Sequence, residues 1–262
     1  MAKVPISICL VARNEEEYIE RCLKSVHGWA NEIILVDGQS TDKTAKIARK
    51  YAKVFVKEND PSHHVNKQWT FTKARNKWVF SLDADEELSP ELKKEIEEII
   101  KNDTPHNGFY VPRVNILHGE PLRWDWPGNM LRLYRKGKES FKGERLHEYI
   151  HIDGSVGQLQ GKLIHFGWWR GMHQYLFKMN NYTTFDAQKR VELGQTYTPW
   201  MLIKGCANQI IYLVAKKIAF NRFPYGLFFV VTDVFNEFSL FFKYREFKKV
   251  KGQHTKAVNK YV

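Results

Sequence analysis

The sequence predicts an α/β protein, a mostly parallel sheet flanked by helices, with a helical extension at its C-terminal end. Three observations carry this. Short apolar runs alternate with helical patterns from Ile6 to Ile100, the signature of βαβ units. Several runs end on polar or acidic side chains, at Arg13-Asn14, Asp37 and Asp83-Ala84-Asp85. Beyond Trp168 the strand-like runs give way to long aromatic, basic, helical patterns. The expected division is a sheet domain over residues 1–166 and a helical region over 167–262.

Ile6-Ser7-Ile8-Cys9-Leu10-Val11 reads as a first strand, apolar without clean alternation and therefore central and parallel. A helix is expected from Glu16 to His27, with Tyr18, Ile19, Cys22, Leu23 and Val26 on one face and Gly28 as its stop. Glu32 to Val36 is the second strand, ending at Asp37. Ser40 or Thr41 can cap a helix through Tyr51, and Val54-Phe55-Val56 is a third strand. A helix is expected from Pro61-Ser62, with Val65, Trp69, Phe71 and Ala74 as apolar members. Trp78 to Leu82 is a buried strand. Ser89 then caps a helix to Ile100, with Pro90 in its first position.

Extended chain resumes at Gly108 to Pro112, Asn129 to Arg135 and Leu163 to Phe166, with an aromatic loop at Trp124-Asp125-Trp126-Pro127. Helical patterns follow over 172–193, 199–220 and 224–247. The last two are strongly apolar but interrupted by charge, so they suit amphipathic helices in a membrane surface, or a cap packed on the sheet domain.

Composition narrows the function classes. A formal net charge of +12 favours anionic partners, whether nucleic acid, phosphorylated substrates or an anionic lipid surface. Eight Trp, 12 Tyr and 17 Phe add an amphiphilic character. Three cysteines form no paired framework, and the N-terminal residues hold no apolar run of signal-peptide length, so a cytoplasmic location is expected. No Gly-rich dinucleotide or P-loop pattern follows a strand, which speaks against those two enzyme classes.

In parallel sheets the crevice beyond the carboxyl ends of the strands is the usual binding place. Asp37, Asp83, Asp85, Arg13 and Asn14 all fall on that rim. Asp83 and Asp85 share side-chain parity on an extended chain, so both can face one side. Paired carboxylates there suit a hard divalent cation, Mg²⁺ or Mn²⁺, that leaves positions for phosphate oxygens. The plain alternative is an acidic turn capping the next helix. Arg132 and Arg135 are candidate phosphate contacts. Glu148, after His147, could act as a base; so could Asp125, or it could hydrogen-bond a sugar stacked on Trp124 and Trp126.

The chain resembles family 2 glycosyltransferases of the GT-A fold, Rossmann-like in its nucleotide-binding half, and among them the bacterial lipopolysaccharide-core enzymes. The stretches that carry the resemblance are Ser7 to Glu15, Ile33-Ile34-Leu35-Val36-Asp37-Gly38-Gln39-Ser40 through Thr44, and Trp78-Val79-Phe80-Ser81-Leu82-Asp83-Ala84-Asp85-Glu86. Arg132 to Arg135 and Phe141 through Glu148 extend it. The resemblance implies a nucleotide-sugar-binding and catalytic domain over 1–166. It implies that Asp37 contacts base or ribose, Asp83 and Asp85 the metal, and Arg75 and more weakly Lys67 a phosphate. It further implies that Glu148 is the acceptor-side base, that His165 approaches the metal, and that the base of the donor is uridine. The Arg75-Asn76 pair departs from the family by sitting only one residue from Trp78.

The expected function is metal-dependent, inverting transfer of a sugar from a nucleotide-diphosphate donor to a cell-surface glycan or lipid-linked acceptor. The expected place is the inner face of the plasma membrane. The alternatives are a nucleotidyltransferase and a non-catalytic basic protein on nucleic acid or a membrane surface; nucleic acid is not the expected partner, and an oligomer is allowed.

Overall fold

The computed structural model describes residues 2–58, 63–122, 128–142, 149–167, 170–215 and 224–258. The chain divides into two compact units, Met1–Trp168 and Trp169–Val262.

In the first unit β1 (Val4–Ala12), β2 (Ala30–Asp37), β3 (Lys53–Val56) and β4 (Trp78–Ser81) run parallel in the spatial order β3-β2-β1-β4. Alternation along these strands feeds two cores. One face presents Ile6, Ile8, Leu10, Ile33, Leu35 and Phe80 to α1 (Ile19–Val26) and α4 (Pro90–Asn102). The other presents Cys9, Ile34 and Val79 to Phe71 of α3 (His63–Lys73) and to Ala74 just after it. Burial on both faces is why these strands read as unbroken apolar runs. Each Ile or Leu so buried contributes about 1.5–3 kcal/mol relative to exposure. The hydroxyl-bearing Thr44–Ala48 helix, α2, is a single short turn rather than the longer helix expected to Tyr51.

The remaining strands complete the sheet in mixed directions. β8 (Asn129–Arg135) lies antiparallel beside β4, and β6 (Gly108–Leu117) lies antiparallel beside β8. β12 (Leu163–His165) runs parallel to β6 and antiparallel to β5 (Glu86–Leu88). β7 (Glu120–Pro121) and β11 (Val156–Gln158) also pair with β6, while β9 (Glu139–Lys142) and β10 (Tyr149–Ile152) form a separate two-stranded sheet.

The β5–β12 pairing depends on how α4 begins. Ser89 Oγ caps the helix by accepting from Leu92 N at 3.2 Å, as its position before Pro90 predicts. The same residue's backbone N donates to Lys162 O at 3.0 Å. Glu95, one turn on, accepts from Gln160 N and Gly161 N at 3.0 and 2.9 Å. Gly161 is required there, because a Cβ would sit 2.3 Å from the backbone of Leu92. These contacts deliver the start of β12 to the helix and so set where His165 falls.

The second unit is a helical assembly of α5 (Met172–Glu192), α6 (Pro199–Ala215) and α7 (Tyr225–Val258). Its core joins Ala187, Tyr197, Leu202, Phe241 and Tyr244. Lys243 ties α7 to α5, its Nζ donating to Asn180 O, Asn180 Oδ1, Thr183 Oγ1 and Thr184 Oγ1 at 2.7–2.9 Å. α7 runs eleven residues beyond the expected end, and Tyr225–Lys251 is long and apolar enough to cross a bilayer by length and composition. Only 22% of its most apolar stretch is buried in the protein.

Candidate active site

Register places the parallel strand ends on one rim. Ala12 pairs with Asp37, and Cys9 with Ser81, just before the acidic turn. Asp37 is 2% exposed. Its Oδ2 accepts from Ser40 N at 3.1 Å, whereas Oδ1 is buried with no hydrogen-bond partner. A buried carboxylate oxygen without a donor is costly, so this position fits a group that brings an N–H or O–H. Asn14 adopts φ +54°, a left-handed conformation that Asn tolerates. Its Oδ1 accepts from Thr41 N at 2.8 Å and its N donates to Ser40 Oγ at 2.9 Å, tying the loop after β1 to the loop after β2. Asn14 therefore shapes the rim. Arg13 beside it is exposed.

The Asp83–Asp85 stretch is a turn between β4 and β5, not extended chain. Shared parity therefore does not apply, and the two carboxylates go to different partners. Asp83 receives Lys67 Nζ at 2.9 Å and a short hydrogen bond from an Arg132 terminal nitrogen. Burial pushes its carboxyl upward, but the charges of Arg132 and Lys67 outweigh burial and hold it well below the usual carboxylate range. Arg132, 3% exposed, also donates to Glu86 Oε1 at 2.7 Å. Arg113 approaches the same oxygen at 3.4 Å, and Glu86 Oε2 accepts from Asp83 N at 3.1 Å.

Asp85 faces β12. Its Oδ2 lies 3.3 Å from His165 Nε2. The other ring nitrogen, Nδ1, meets Asn115 Oδ1 at 2.7 Å. An amide oxygen accepts only, so the contact to Asn115 takes a proton on Nδ1 and leaves Nε2 as the ring atom that faces Asp85. A carboxylate and an imidazole steadied by an amide oxygen form a donor set of the kind a divalent cation takes. The fit to a divalent cation is therefore through Asp85 and His165. Among the described residues no group of three or more His, Cys, Asp or Glu side chains gathers as a ligand set. Two protein donors would leave the remaining positions of such a cation to substrate oxygens and water.

Two of the candidate arginines lie away from the rim. Arg75 lies at the opposite end of the sheet: its Nε is 2.7 Å from Glu32, whose register partner is Ser7. Ser7 is five residues from the rim at Ala12, roughly 16 Å along the strand. Arg135 is likewise remote from the rim, because β8 runs antiparallel to β4 and pairs Arg135 with Trp78. Its guanidinium bonds Asp103 and Thr104 O at 2.5 Å and covers the Trp78 ring. Glu148 and Asp125 lie outside the described residues.

The family model for glycosyl transferase family 2 matches residues 7–157, which spans the rim, the acidic turn and the sheet that carries both. The chain belongs to glycosyltransferase family 2. The lipopolysaccharide core biosynthesis glycosyltransferase LpsC of Rhizobium meliloti is 32% identical over 207 residues, covering 74% of each chain. An uncharacterized glycosyltransferase of Rickettsia typhi, RT0209, is 29% identical over 276 residues, covering 98% of this chain and 92% of that one. Among solved structures, the mannosyltransferase PcManGT from Pyrobaculum calidifontis, in complex with GDP-Man and Mn²⁺, superposes with a TM-score of 0.51 at 12% identity. It covers 93% of this chain and 88% of its own. The glycosyltransferase has the GT-A fold.

Sequence reasoning passed over three residues that build this glycosyltransferase site. Glu86 stood inside the acidic run, but nothing local shows that it is fully buried between two arginines. Arg113 and Asn115 lie past Pro112, where the strand was expected to stop; β6 continues to Leu117. The alternation of buried Val111, Asn115 and Leu117 along it was the available signal.

Proposed function

We propose that this family 2 glycosyltransferase carries out metal-dependent, inverting transfer of a sugar from a nucleotide-diphosphate sugar to a cell-surface glycan or lipid-linked acceptor. The Asp85–His165 pair carries the reading. It stands at the strand-end rim that also holds the unpartnered Oδ1 of Asp37. A divalent cation, when bound, supplies positive charge to the departing diphosphate, and Asp85 and His165 are the residues that would hold it. A nitrogen donor beside a carboxylate suits Mn²⁺ better than Mg²⁺. The solved relative of this fold binds GDP-Man and Mn²⁺, while the family resemblance points to uridine, so the test is a screen of UDP- and GDP-sugars with each metal. Release of free nucleoside diphosphate with the sugar on the acceptor supports the reading. Release of pyrophosphate would replace it with nucleotidyl transfer.

The chain's own groups divide the work. Asp37 accepts a hydrogen bond from the base or ribose. Lys67, at 16% side-chain exposure, is the more accessible of the two cations on Asp83 and can turn to a phosphate; Arg132 is committed to Asp83 and Glu86. Arg13 is the exposed cation of the same rim. Asp37→Ala is expected to raise the donor dissociation constant by roughly ten- to a hundredfold, the range for a hydrogen bond to a charged group. Direct titration checks it, and an unchanged constant would leave Asp37 a structural turn residue.

Glu148 is the leading general base: Asp85 would be occupied by metal, Asp83 is ion-paired and Asp37 serves the nucleotide, and among the acids left Glu148 is the one whose stretch resembles the family's acceptor region. Asp125 is its rival. Glu148→Gln keeps size and most hydrogen bonding while removing basicity. It should leave donor affinity near normal and cut transfer at saturating acceptor by about tenfold or more. A near-normal rate in Glu148→Gln beside an inactive, folded Asp125→Asn would transfer the role.

The acceptor reading rests on the second unit. Trp200 is 70% exposed and Ile211 65% on α6, and Phe235 is 62% exposed on α7. Exposed aromatic and aliphatic side chains on basic helices suit an enzyme that works at the inner face of the plasma membrane on an amphiphilic acceptor.

A further inference from the structure

The positive charge of this protein is not spread evenly. Residues 169–262 hold fifteen of the 41 Lys and Arg but only five of the 29 Asp and Glu, so +10 of the formal +12 belongs to the second unit. Within that unit the charge has a definite relation to the apolar surface. Leu227, Val231, Phe235, Phe238 and Phe242 are all exposed and recur every three or four residues along α7. They form one helical stripe, about 22 Å long at 1.5 Å per residue. The same spacing continues into Arg245, Glu246 and Lys249. An apolar ridge thus runs directly into a basic cluster.

At that basic end lies a shallow groove of about 670 Å³ within the second unit. Its floor is aromatic: Tyr197, Phe241 and Tyr244, all buried. The tyrosine hydroxyls point elsewhere, Tyr197 donating to Glu237 at 2.7 Å and Tyr244 to Gln195 O at 3.0 Å. The groove therefore offers ring surface rather than hydroxyls. Its rim is Arg245, Lys248 and Lys249, with one carboxylate, Glu246. Arg245 and Lys248 sit over the Phe241 and Tyr244 rings at 5.8 and 5.7 Å. Lys243 and Lys251, though in the same sequence cluster, turn inward to bond α5, Lys251 through Val191 O at 3.1 Å. The tertiary structure thus separates the cations that hold the unit together from those that face the groove.

We propose that this groove is a seat for the phosphate-bearing headgroup of an anionic membrane lipid, with the exposed α7 stripe beside it in the apolar layer. The complementarity has two parts. Three cations against one carboxylate favour a phosphate, and an aromatic floor favours the glycerol and first methylenes below it. The inference rests on the membrane-surface reading above and makes it specific: one groove, not the net charge, selects the headgroup.

The test uses the full-length protein and sucrose-loaded vesicles of phosphatidylcholine, with or without one fifth phosphatidate. Wild type is expected to sediment with the phosphatidate vesicles, and added inorganic phosphate should release it more than chloride of equal ionic strength. Lys248→Glu with Lys249→Glu should weaken that binding by about tenfold or more, since each cation near an anionic surface counts about fivefold. Lys178→Glu with Lys204→Glu makes the same charge change on the same unit outside the groove and should weaken it severalfold less. Circular dichroism confirms that both pairs fold. Equal losses in the two pairs, or equal release by phosphate and chloride, would overturn the groove and leave general adsorption. Failure of wild type to bind any vesicle would overturn the membrane-surface reading, and the groove with it.

Discussion

Asp85→Asn is expected to lower metal-dependent turnover by about a thousandfold or more with the fold intact. The cation's charge on a departing diphosphate is worth several kcal/mol, and each 1.36 kcal/mol is tenfold in rate. Asp85 brings the anionic half of the only oriented pair at the rim among the described residues, 3.3 Å from His165. Asparagine keeps the shape and one oxygen but loses the charge that makes a carboxylate a hard-cation ligand. His165→Gln should fall in the same direction, and Asn115→Leu less, because it frees the ring without removing it. Calorimetric titration of nucleotide sugar with and without Mn²⁺ separates metal binding from chemistry. Equal Mn²⁺ enhancement of donor affinity in wild type and Asp85→Asn would reject this role for Asp85.

Arg132→Met is expected to destabilise the first unit by about 3 kcal/mol, the low end for breaking a buried ion pair. The cost comes chiefly from Glu86, which is fully buried and would keep the Asp83 N–H at 3.1 Å and, as counter-charge, Arg113 at 3.4 Å. Asp83 adds less, because its side chain is 40% exposed and solvent screens it. The paired change Glu86→Leu with Arg132→Met should recover part of the loss, since it removes both charges from the interior. Hydrogen exchange of the β4 and β8 amides reads the first unit by itself, which a whole-chain melting curve of a two-unit protein does not. A loss under 1 kcal/mol in Arg132→Met would show that water already reaches Glu86.

Much of the rim was legible because it depends on local chain direction. Parallel strands joined by helices all point one way, so Asp37 and the Asp83–Asp85 turn had to share an edge. Arg132 and Arg135 show where that reasoning stops. Both stand in one strand, three residues apart, yet β8 runs antiparallel to β4, so its start lies at the rim and its end does not. Direction of a strand relative to a distant neighbour is not written in its periodicity. Arg75 lies away from the rim for a related reason: it precedes β4 and so belongs to the entry edge of the sheet, where Glu32 holds it.

By itself the amino-acid sequence determined the α/β class, the helical and basic C-terminal region, the Ser89-Pro90 start of α4 and the acids at the strand ends. These follow from propensity, spacing and caps, which act over a few residues. Only the tertiary structure decided which charge each acid meets. Lys67 and Arg132 reach Asp83 across 16 and 49 residues, and His165 reaches Asp85 because β12 pairs with β5. The same holds for the second unit, where folding turns Lys243 inward and leaves Lys248 on the groove. Local periodicity sets which face a side chain takes, whereas its partner is set by strand order and helix packing, which minimise exposed apolar surface over the whole unit.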